Sequence, residues 1–234
     1  MAAVVRNRFY AVIALALAAL VLVAFSRTYY LREWFTVPPI NLLLHLHSIA
    51  FTAWFVLFVI QTRLIAKQNY RTHMQLGIAG LVLAAVVFVL GVATTVDSAS
   101  APRLRGGGMN SQQFVFVPLF AITLFAVLVT AAAVLRKHAQ IHKRLMILAM
   151  LSVLGPPVAR LIVLTQNGNH FLAIQTAVPA AFLIWCLVSD WLKYRIVHPV
   201  YAIGGTLLVA SWPLRMWIAR TPEWESIGQW MAGM

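Results

Sequence analysis

Long apolar runs separated by short polar breaks make up most of the chain. They fall at approximately 9–25, 39–62, 74–97, 114–135, 143–165, 171–192 and 198–218. Each is near the roughly 17–25 residues that a membrane-spanning helix needs. The runs are continuous rather than alternating, so they predict helices and not the strands of a membrane barrel. In hydrocarbon a helix satisfies its own backbone hydrogen bonds, which makes it the expected solution. The predicted fold class is therefore all-α, a polytopic transmembrane bundle of about seven spanning helices. It is expected as one domain over residues 1–220, with a short interfacial segment at 221–234.

The breaks refine this. Arg6 and Arg8 precede the first run as they would a signal peptide, but its apolar core is long and no small-x-small cleavage motif follows. It is read as a retained helix. Gly204, Gly205 and Pro213 interrupt the last run, and Arg215 lies near its end. The longest connection, roughly 98–113, holds Pro102 and Gly106-Gly107-Gly108 and is expected to be a flexible exterior loop. No Gly-Lys-Ser/Thr follows the glycines, so a phosphate loop is not indicated. Beyond the last run, Thr221-Pro222-Glu223 supplies a cap, a first-turn proline and an early acid. The helix it opens places Trp224, Ile227 and Trp230 on one face, as an interfacial helix would.

Charge changes the picture in one respect. The net charge is +13, yet only 10% of residues are charged, against about 25% in soluble domains. The basic residues sit in short clusters between runs and form no basic domain, which excludes nucleic acid as a partner. With seven alternating spans, 11 of the 18 basic residues fall on one side and 7 on the other. The richer side is assigned to the cytoplasm. The N-terminus is then cytoplasmic and the C-terminus periplasmic. The single cysteine, Cys186, excludes an internal disulfide and a cysteine-based zinc site.

Ionisable side chains inside spans are costly, which makes each a candidate for function. Topology sorts the histidines into two groups. His73 and His142 open the third and fifth spans at matched depth on the cytoplasmic side. His45 and His47 in the second span, and His170 at the start of the sixth, lie on the outer side. Asn41, His45, Ser48 and Thr52 form one polar stripe on the second span, and His47, Phe51, Trp54, Phe58 and Gln61 form another face. On the third, His73, Gly77, Gly80, Ala84, Gly91 and Thr95 form a small-residue stripe that admits a packed helix or a flat cofactor. On the fifth, His142, Met146 and Met150 recur at steps of four, and Arg160 follows His142 by 18 residues, a whole number of turns, so all four are expected on one face. Pro156-Pro157 should kink it. Asp97 is the natural partner for Arg160; the alternative is an arginine snorkelling to the interface.

Leu46-His47-Ser48, Leu57-Phe58, Gln61 and His73 with Gly77 together resemble motifs of cytochrome b561-type membrane proteins. The resemblance covers His47 to Gly77. His142 with Met146 is also similar to that family's His-x-x-x-Met helix, in a different chain order. The fourth span has no histidine, so a two-haem arrangement is not expected. His-Lys-Arg-Leu-Met at 142–146 resembles a stretch in small bacterial membrane proteins linked to terminal-oxidase assembly. The chain as a whole is similar to bacterial multi-pass proteins of unassigned function. These resemblances imply a bacterial inner-membrane location, haem b as cofactor, and quinol or a respiratory-chain component as partner.

Two functional readings follow. In the first, haem b is held by two imidazoles: the cytoplasmic-side pair His73 and His142, or the outer pair His47 (or His45) with His170. In the second, the protein has a non-redox assembly, scaffold or metal-handling role. His138, His142, Met146 and Met150 would then offer soft ligands to copper(I), and Asn41, His45, Asp97, Arg160 and His170 would form a stabilising polar cluster. No hydrolase constellation is present.

Overall fold

The structure is a computed structural model, and it describes residues 2–101 and 106–233. Helices account for all regular structure among them. The chain forms two compact units, residues 1–90 and 91–234.

The first unit holds α1 (Ala2–Phe25), α2 (Leu42–Ala66) and most of α3 (Tyr70–Asp97). Asn41 caps α2 by accepting the Leu44 N–H at 2.8 Å, which satisfies one of the helix's open donors. After Phe25 the chain continues through a wide π-helical turn, Ser26–Tyr30. α1 packs along α2. Gly80 of α3 lies against α2: a Cβ there would fall 3.3 Å from the Leu57 side chain.

The second unit holds α4 (Ser111–Phe114), α5 (Phe116–Val134), α6 (Ala139–Ser152), α7 (Gly155–Leu164), α8 (Phe171–Tyr194), α9 (Thr206–Ile218) and α10 (Pro222–Ala232). α5 and α6 form an antiparallel hairpin and share the most extensive packing among the described residues. Phe125, Ile147, Leu148, Met150 and Leu154 are fully buried in the core of this unit.

Among the described residues, five helices are long and apolar enough to cross a membrane, and bent pairs raise the number to as many as seven. Only 22–33% of the central stretch of each of those five is buried. The remainder is outward-facing Val, Leu and Ile, including Val82, Val89, Ile184 and Leu192. Such a surface needs an apolar solvent, so the chain is a multi-pass membrane protein.

The fifth span is broken. α6 ends at Ser152, α7 begins at Gly155, and their axes differ by 42°. Pro156 and Pro157 lack N–H groups, and their rings crowd the carbonyls four residues back. The 18-residue register from His142 to Arg160 assumed one continuous helix, and the break interrupts it. The kink itself was expected.

The C-terminal helix also departs from expectation. Thr221 caps it and Pro222 occupies its first turn, as the sequence implied. It then turns back on the bundle at 80° to α9. Glu225 accepts from Asn110 Nδ2 at 2.8 Å and Gln113 Nε2 at 3.2 Å. Trp224 packs on Phe116 with ring centroids 4.7 Å apart, so it does not share the exposed face of Ile227 and Trp230. Gly228 lies against the Gln112 backbone; a Cβ there would fall 2.5 Å from the carbonyl oxygen. The expected exterior loop is likewise seated: Gly106 lies on the Phe171 ring, and Gly107, at φ +75°, lies over Met216. Pro102 lies outside the described residues.

Candidate functional site

In the first unit, the polar stripe of α2 meets the turn after α1. Tyr29 Oη lies 3.2 Å from His45 Nδ1, and Tyr30 Oη lies 2.8 Å from Thr52 Oγ1. Ser48 and Thr52 donate their hydroxyls to the carbonyls of Leu44 and Ser48 on their own helix. The stripe is therefore a helix-joining seam. His47 is on the other side of α2, its ring 4.6 Å from Phe51. His73 is half-buried in the first turn of α3.

In the second unit, His142 is half-buried on α6, with Nδ1 2.8 Å from the Ala132 carbonyl of α5. A carbonyl only accepts, so Nδ1 carries the proton and the neutral ring has its lone pair on Nε2. Met146 is half-buried and Met150 is fully buried on the same helix. Asp97 is exposed at the end of α3, Arg160 is half-buried on α7, and His170 is exposed just before α8. His142 and His170 sit at opposite ends of the second unit.

The densest polar cluster in this unit involves residues that the sequence did not single out. Arg144, counted there as a topology charge, is 2% exposed. Its Nη2 and Nε donate to Asp190 Oδ1 and Oδ2 of α8 at 2.7 and 2.9 Å. Its Nη1 donates to the Gln140 carbonyl and side-chain oxygen at 2.7 and 2.9 Å. The rings of Tyr201 and Tyr194 lie 5.5 and 5.6 Å from its guanidinium carbon. The His198 backbone N–H donates to Asp190 Oδ2 at 3.3 Å. This ties α6, α8 and the turn before α9 together at the end that carries connections 135–138 and 195–199. His198 is held below its ordinary value of 6.5, first by burial and then by Arg144, with Asp190 opposing. Two residues apart on a helix means roughly 200° around it. His142 thus faces α5 while Arg144 faces α8.

No known protein family, curated protein or solved structure matches this chain. Among the described residues, no group of three or more His, Cys, Asp or Glu is arranged to hold a metal ion. For haem, the donor chemistry fits at His142, whose geometry fixes the tautomer a ligand needs. One signal in the sequence pointed to the missed cluster. Asp190 is an acid inside the last turns of an apolar run, and such a residue needs a cation within reach.

Proposed function

We propose that the protein is a bacterial inner-membrane electron carrier that binds haem b through imidazole nitrogens. The observation that supports this is the setting of His142, whose Nδ1–H is directed to the Ala132 carbonyl at 2.8 Å. Ligating histidines are characteristically held in this way, with the second nitrogen bonded to an oxygen that fixes the ring. His142 is one axial ligand in this reading. Haem supplies reversible one-electron transfer when bound. The chain's part is to present the imidazole in a fixed orientation on a packed helix. Quinol is the proposed donor and a respiratory-chain component the acceptor, with the N-terminus in the cytoplasm. The test is the optical spectrum of protein purified from haem-replete cells and reduced with dithionite. Soret and α bands of a b-type haem are expected, and their absence refutes the reading.

A non-redox scaffold or assembly role is favoured by a different observation. Arg144 and Asp190 are hydrogen-bonded on every side like a structural lock. Met150 is fully buried, which suits packing better than copper binding. Co-purification of an oxidase with a haem-free protein supports this second reading.

A further inference from the structure

Arg215 on α9 is 1% exposed, and its surroundings do not balance its charge. Nη2 donates to Ser211 Oγ at 2.7 Å. The rings of Phe120 and Trp212 lie 4.5 and 4.8 Å from its guanidinium carbon. Nε and Nη1 are buried with no hydrogen-bond partner among the described residues. Nor does any described carboxylate come within ion-pairing distance of it, in contrast to Arg144 and Asp190 at 2.7 Å. Ser211 adds no free donor, because its hydroxyl donates to the Leu208 carbonyl at 2.6 Å. A guanidinium retains its proton at any accessible pH, so it cannot escape burial by becoming neutral. Two aromatic faces offset part of a buried cation's cost, but they do not accept its remaining N–H groups.

We propose that Arg215 forms the cationic wall of an intramembrane site for a small monovalent anion, of the size and charge of a halide. Nε–H and Nη1–H are the donors, and Phe120 and Trp212 exclude water and larger ligands. The site lies one turn below the end of α9, where Met216 carries the Gly107 loop and Arg220 Nη2 donates to the Gly107 carbonyl at 2.8 Å. That loop and α10 cover the same end of the unit, so an anion reaches Arg215 by passing this cap.

The test uses the full chain in detergent, with chloride exchanged for gluconate at constant ionic strength. Chloride at ten times its Kd is expected to raise Tm by on the order of 3 °C, and the rise should saturate. Arg215→Gln should remove the chloride dependence, whatever its own Tm. Iodide provides a readout that does not require that variant to fold. It should quench part of the wild-type tryptophan emission saturably, and Trp212→Phe should abolish that component. Equal Tm in chloride and gluconate, or a chloride shift that persists in Arg215→Gln, overturns the proposal. So does iodide quenching that stays linear in the wild type.

Discussion

Arg144 of α6 and Asp190 of α8 meet in a two-point ion pair, with Nη2 2.7 Å from Oδ1 and Nε 2.9 Å from Oδ2. Both side chains are almost completely buried, at 2% and 4% exposure. The desolvation of two such charges is large, and their attraction offsets it only because the remaining donors are also bonded. Removing one partner should therefore cost far more than removing both. Asp190→Ala is expected to destabilise the protein by about 3–5 kcal/mol in a detergent-unfolding titration. The double variant Arg144→Met with Asp190→Leu should recover at least wild-type stability, because it leaves no buried charge. A double variant as unstable as Asp190→Ala would show that the pair itself stabilises the bundle.

The close approach of Gly228 to the Gln112 backbone makes a second prediction. Any side chain at 228 must push α10 away, since its Cβ would fall 2.5 Å from a carbonyl oxygen. Gly228→Val is expected to cost about 1–3 kcal/mol, in the range of overpacked sites. Limited proteolysis should then cut between α9 and α10 at a rate well above wild type. An unchanged cleavage rate would mean that α10 lies loosely on the bundle.

His198 provides a pH dependence with a definite sign. Its folded-state value is lowered from 6.5, mainly by burial and by Arg144, with a smaller contribution of the same sign from Lys143. The folded chain thus binds fewer protons at this site than the unfolded chain just below 6.5. The contribution is fully present above 6.5 and is lost as pH falls through the lowered folded value. Unfolding titrations should show this loss in the wild type and a flatter profile in His198→Gln. Identical profiles would remove His198 as the source.

The spans were legible in the sequence because each apolar run is as long as the bilayer is thick. The start of α10 was legible too, since Thr221 is a capping residue with helix-forming sequence after it, whereas Asn41, read as part of a polar stripe within the second span, caps α2. What the sequence did not reveal depends on contacts distant in the chain. Arg144 sits beside Lys143 and reads as one more topology charge, while its partner lies 46 residues away on another helix. Trp224 shares helical spacing with Ile227 and Trp230, yet Phe116 draws it inward. Arg160 seemed aligned with His142 only because the spacing rule assumes an unbroken helix, and Pro156-Pro157 ends that assumption. His142 was singled out by depth, but its bond to Ala132 depends on the tight α5–α6 hairpin.

Orientation is open to a direct chemical check. Cys186, the single cysteine, is buried and gives a quiet background. Asn169 and Lys137 are exposed in connections at opposite ends of the second unit. In intact cells, a membrane-impermeant maleimide is expected to label Asn169→Cys and to label Lys137→Cys only after permeabilisation. The reverse pattern would invert the topology.

Ligation of haem b by His142, as proposed, is tested by the reduced spectrum of the wild type beside that of His142→Ala, both from haem-replete cells. The expected result is b-type Soret and α bands in the wild type and their loss, or a shift to a high-spin form, in a variant that still purifies as a folded protein. A wild type with no haem bands, or a His142→Ala spectrum identical to it, would contradict the claim.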